Sequence, residues 1–154
     1  MDIKKILLPY NFTELDNKAL DFVIKTFSGI QEAKVTIFNI FTPAPSIDVK
    51  KSPGMKKMQE SVSYLNQLIS EQEESLKKVK QILVSGGFAE SHVKAVFMPK
   101  KKEISNHIIE MATAEKADLI VLSRKSGIIS RFFTKSVFNR AVMELKDKVV
   151  CIVS

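Results

Sequence analysis

The chain has 154 residues, 45% of them hydrophobic and 27% charged, with a formal net charge of +7. That length and balance fit one globular domain with a single sizeable core, and exclude a disordered or fibrous chain. No apolar run approaches the roughly 18 residues of a membrane helix, MDIKKILLPYNF is not a signal peptide, and the lone Cys151 excludes an internal disulfide, so the expected setting is the reducing cytoplasm.

The first element is a strand from Ile3 to Pro9. Its continuous Ile6-Leu7-Leu8 run suits a parallel sheet buried on both faces. Asn11-Phe12-Thr13 forms a turn, and Thr13 caps a helix with Glu14 and Asp16 in its first turn. Leu15, Ala19, Phe22, Val23 and Phe27 share one face of that helix, which stops at Gly29. Val35 to Phe41 is β-branched and aromatic and makes the second strand. A proline-bearing loop from Thr42 to Ser52 follows, and Ser52-Pro53 reads as a cap with proline at the first helical position.

The longest helix runs from Met55 to about Ser85. Met55, Met58, Val62, Leu65, Ile69, Leu76, Val79 and Leu83 recur three and four apart, with polar Gln72 filling the gap. A coiled coil would use that pattern, but Lys, Glu and Gln on the other faces favour a helix covering the sheet. Gly86-Gly87 ends it. Val93 to Met98 is a third strand closed by Pro99. Lys100-Lys101-Lys102 then leads into a helix with Ile104, Ile108, Met111 and Ala112 inward. Asp118 to Leu122 is a fourth buried strand, and the loop Ser123-Arg124-Lys125-Ser126-Gly127 leads towards a short helix from Ser136 to about Leu145. Val149 to Val153 is the last strand. This βαβαβαβαβ order predicts an α/β fold, a doubly wound open parallel sheet of five strands with right-handed crossovers and helices on both faces.

In such sheets ligands bind beyond the carboxyl ends of the strands. Asp118-Leu119-Ile120-Val121, a polar loop, and Ser136-Val137 opening a helix resemble the universal stress protein family. The resemblance covers essentially the whole chain and implies strand order 3-2-1-4-5, the adenine-nucleotide-hydrolase-like arrangement. It also implies a nucleotide crevice formed by Pro9, Tyr10, Asn11, Ile40, Ser123, Arg124, Lys125, Ser126, Gly127, Lys135 and Ser136. Nucleotide-binding members carry three glycines in this loop; counted back from Ser136, those positions hold Leu122, Lys125 and Lys135. Glycine there lets the backbone approach phosphate, and these side chains would fill that space. Asn11 stands where binders usually have aspartate, and keeps hydrogen-bonding capacity without the charge.

The reading is therefore a non-catalytic stress-response or regulatory protein that needs no cofactor and contacts regulatory protein partners. The alternative is an ATP- or AMP-binding protein, with at most weak ATPase activity, that holds phosphate through Arg124, Lys125, Arg131 and Lys135. Other chemistry lacks its residues. The two histidines, His92 and His107, fall on separate elements, no metal-ligand cluster accompanies Cys151, and neither a nucleophile elbow nor a Walker A sequence occurs. The +7 charge and Phe132-Phe133 between basic residues read as solvation and packing, so nucleic acid is not an expected partner, and neither is a membrane. The last strand is an uncharged apolar edge, open to pairing. With Ser154 closing the sequence, the expectation is a two-fold homodimer through that strand. Either Val150 and Ile152, or Val149, Cys151 and Val153, would meet their copies; many relatives in the resembled family dimerise there.

Overall fold

The computed structural model describes residues 2–46, 54–123, 140 and 143–154. Its elements are β1 (Lys5–Pro9), α1 (Glu14–Phe27), β2 (Lys34–Phe41), α2 (Met55–Ser85), β3 (Val93–Pro99), α3 (Ile104–Ala114), β4 (Leu119–Ser123) and β5 (Val149–Val153). A 3₁₀ turn, Glu90–His92, precedes β3. The Ser52-Pro53 cap and residues 136–139, 141 and 142 of the expected helix from Ser136 to Leu145 lie outside the described residues.

The five strands form one sheet in the order β3-β2-β1-β4-β5, with every neighbouring pair parallel. The hydrophobic pattern explains why both faces are covered. Alternate side chains of a strand point to opposite faces, and here both sets are apolar. Ile6, Leu8, Val35, Ile37, Leu119 and Val121 face one way and pack with Ala19, Leu20, Val23 and Phe27 of α1 and Leu76, Val79 and Leu83 of α2. Leu7, Phe38, Ile120 and Leu122 face the other way and pack with Ile108 and Ala112 of α3 and with Leu145. The reversal of strand order across the sheet sets this segregation: β1-α1-β2-α2-β3 steps one way, and α3 carries the chain back past β1 to β4. Right-handed crossovers then put α3 on the opposite face from α1 and α2.

The long helix α2 divides the expectation made for it. Leu76, Val79 and Leu83 are buried against the sheet, as a sheet-covering helix requires. Met58 is 54% exposed and Leu65 40%. The same three-four spacing thus continues into a half that extends past the strand ends. A 31-residue helix is about 46 Å long at 1.5 Å per residue, whereas an eight-residue strand spans about 26 Å. The helix ends where Gly86 packs against Ile24, which would lie 2.8 Å from an added Cβ, and where Gly87 takes φ +122°. A side chain is disfavoured at both.

Candidate functional site

The switch point lies between β1 and β4, where connections leave in opposite directions, and the tips of β1, β2 and β4 open onto a cleft of about 1170 Å³. Pro9, Tyr10, Asn11, Phe38, Asn39, Ile40, Phe41 and Ser123 line it from the strands. Thr13 to Asp16 line it from the start of α1, and Thr42 to Pro45 from the segment after β2. Leu65, Leu68, Ile69 and Gln72 contribute from α2, and Lys100, Glu103, Ile104, Ser105 and Ile108 from the β3–α3 turn and α3. Of the site residues expected from sequence, Pro9, Tyr10, Asn11, Ile40 and Ser123 thus border one cleft. Arg124, Lys125, Ser126, Gly127, Lys135 and Ser136 lie outside the described residues.

Asp16 organises the floor of this region. Its place as third residue of α1 makes it half of a capping box with Thr13, whose Oγ1 accepts the Asp16 N–H at 3.1 Å. The carboxylate does more than charge the helix start. Its Oδ2 accepts the N–H of Asn11 at 2.9 Å, the N–H of Thr13 at 3.2 Å and the Thr13 hydroxyl at 2.8 Å. Its Oδ1 accepts the Ser123 hydroxyl at 2.5 Å, across 107 residues of sequence. One carboxylate, 3% exposed, therefore ties the tip of β1 to the tip of β4. Gathering the N–H groups of residues 11 and 13 onto one oxygen forces Phe12 between them to φ 60°, a region that a bulky residue seldom adopts. The Phe12 ring meets Tyr10 edge-on at 5.2 Å.

A second polar brace crosses from α2. Gln72 Nε2 donates to Asn39 Oδ1 at 2.9 Å, and Asn39 Nδ2 donates to the Tyr10 carbonyl at 2.8 Å. Asn39 is only 1% exposed, so both ends of its amide need partners. Gln72 is the polar residue that interrupts the apolar stripe of α2, and this bond is the reason for it. Tyr10 N donates to Phe38 O at 2.8 Å, and its hydroxyl donates to Asn17 Oδ1. Burial, reinforced by the Asp16 charge, raises the phenol above its ordinary range.

One sequence expectation changes. Leu122, at the first glycine position by count, does not enter the cleft. Strand alternation turns it into the core on the α3 side, 1% exposed, and Ser123 takes the tip facing Asp16. Cys151 is a half-buried free thiol on the edge strand. His92 and His107 do fall apart, in the 3₁₀ turn and in α3, and no cluster of three metal-ligating side chains occurs among the described residues. Sequence reasoning missed Asp16 as a site organiser, and also Gln72 and Lys100. For Gln72 the break in the apolar stripe was a usable signal; for Asp16 the capping pattern masked the long-range bond.

A doubly wound sheet in this order, with a cleft at its switch point, matches the α/β fold of universal stress proteins. The chain belongs to the universal stress protein family, whose pattern it matches over residues 2–152. Three solved structures share the fold over nearly the full length of both chains. Hypothetical protein MJ0577 is 22% identical, covers 99% of this chain and 96% of its own, and superposes with a TM-score of 0.68. UspA from Lactobacillus plantarum is 13% identical over 100% of this chain and 99% of its own, also at 0.68. The universal stress protein of Archaeoglobus fulgidus, solved in complex with dAMP, is 15% identical over 99% and 98%, at 0.62. No curated protein is significantly similar in sequence. Among the described residues, no helix is long and apolar enough to cross a membrane.

Proposed function

We propose that this chain is a non-catalytic, stress-responsive regulatory member of its family, acting in the cytoplasm as a homodimer with regulatory protein partners, and that it does not grip ATP as members with a glycine-rich loop do. The observation that carries this reading is the closed Asp16–Ser123 pair. The buried carboxylate at the switch point already accepts four hydrogen bonds, including the Ser123 hydroxyl at 2.5 Å. A carboxylate so engaged is not available as a base or a metal ligand without dismantling the turn it holds. Asn11 adds no charge at the mouth, and the loop beyond Ser123 carries Lys125 and Lys135 where glycines would present backbone N–H groups to phosphate.

Calorimetric titration with Mg-ATP tests the reading. The expected affinity is weaker than about 1 mM, or about −4 kcal/mol. Micromolar binding would replace it with the second reading, a nucleotide-binding protein that holds phosphate by lysine charge. That reading is favoured by the cleft at the strand tips together with the dAMP complex of the Archaeoglobus relative. Under it, Lys125→Ala and Lys135→Ala each weaken binding.

A further inference from the structure

His107 and the lysine run before α3 belong to no part of the nucleotide or dimer readings, yet the structure joins His107 to Lys101, the residue after Lys100 of the cleft lining. His107 is 4% exposed, and its Nε2 accepts the backbone N–H of Lys101 at 3.1 Å. At the start of α3, the N-cap Glu103 makes no side-chain cap, and the N–H groups of Asn106 and His107 reach its carbonyl at 3.0 and 3.2 Å. Lys100 and Glu103, flanking the bonded residue, line the cleft, and Lys100 N donates to Phe41 O at 2.8 Å. An imidazole nitrogen accepts a hydrogen bond only while it carries no proton; the charged ring has two donors and no acceptor.

We propose that His107 is an acid-sensing latch: neutral, it closes the β3–α3 turn by accepting from Lys101, and protonated, it releases that turn and with it the Lys100–Glu103 rim of the cleft. The latch works whatever ligand the cleft takes. Its surroundings favour the neutral ring. Burial first, then the Lys102 charge, hold the imidazole below its ordinary range; Glu110 opposes them, and Lys100 and Lys101 add to the lowering. Lys102 is paired with Glu110, and Glu103 with Arg140 at 3.6 Å. The sign follows. The unfolded chain takes up its proton first as pH falls below about 6.5. The closed turn is therefore fully stabilised above that pH and loses its support as pH falls through the lower folded-state value.

Nuclear magnetic resonance on the intact chain tests this. Long-range nitrogen spectra at about pH 7.5 should show Nε2 unprotonated and Nδ1 protonated; a proton on Nε2 overturns the latch. Hydrogen exchange, corrected for its intrinsic pH dependence, should show the Lys101 amide losing protection by at least about tenfold between pH 7.5 and pH 5. His107→Gln keeps an acceptor but cannot titrate, so its Lys101 protection should not change with pH. Constant protection in the wild type, or the same loss in the glutamine variant, overturns the proposal.

Discussion

At the residue scale, a few buried polar groups decide the geometry of the cleft, and each is held by a bond across the chain. Asp16 is the plainest case. Asp16→Ala leaves the N–H groups of Asn11 and Thr13 and the hydroxyl of Ser123 without their acceptor and removes the capping box. Unpaired buried donors and a lost cap together should cost about 3 kcal/mol in urea denaturation; a loss below about 1 kcal/mol would mean that water replaces the carboxylate at little cost. Asp118 gives a pH signature. Its Oδ2 accepts the N–H groups of Lys4 and Lys5 at 3.0 and 2.8 Å. Burial pushes this carboxyl up, but those bonds and the charges of Lys148 and Lys5 outweigh it and hold it below the usual carboxylate range. A lowered value means stability that is present above the unfolded pKa of about 3.9 and lost as pH falls through the folded one. Asp118→Asn should flatten that part of the acid unfolding curve, measured by circular dichroism.

At the element scale, α2 shows why one periodic pattern can have two outcomes. Its apolar stripe, broken at Gln72, runs through both halves, but a helix of 31 residues outruns the sheet beneath it. Leu83→Ala removes a fully buried side chain and should cost about 2–5 kcal/mol. Met58→Ala, at a position 54% exposed, should stay within about 0.5 kcal/mol. Equal losses at both positions would show that the exposed half is covered in solution. The Gln72–Asn39 brace marks the boundary between the two halves, so Gln72→Leu, which leaves a buried amide without its donor, should cost more than its added apolar surface returns.

At the scale of the whole molecule, the sheet has two edges, β3 and β5. In β5, Val150 packs towards the α3 side and Cys151 and Val153 towards the α1 side, while Val149 is 40% and Ile152 45% exposed. The exposed pair thus takes one residue from each of the two alternating sets, Val149 from one and Ile152 from the other. Light scattering should report a dimer, and Ile152→Lys should convert it to monomer without unfolding the chain, since this side chain is not core. A wild-type monomer at high micromolar concentration would refute the homodimer. The +7 charge should give only weak association with DNA that vanishes near physiological salt, as counterion release requires.

Much of this was legible along the chain. Continuous apolar runs such as Ile6-Leu7-Leu8 belong only in strands buried on both faces, and three-four spacing belongs to helices, so the sheet, its helices and the Thr13 cap could be placed by local chemistry. The strand order came from family resemblance, and the structure shows the same order. Pro9, Tyr10, Asn11, Ile40 and Ser123, implied by the same resemblance, border one cleft at the strand tips. Long-range pairing was not legible. Nothing in the sequence says that Asp16 meets Ser123 or that Gln72 reaches Asn39, because each bond depends on elements brought together only by packing. The same holds for Leu122. Counting along the loop aimed it at the cleft, but which of two adjacent residues enters a cleft is set by the pleat of the finished strand, and the pleat chose Ser123.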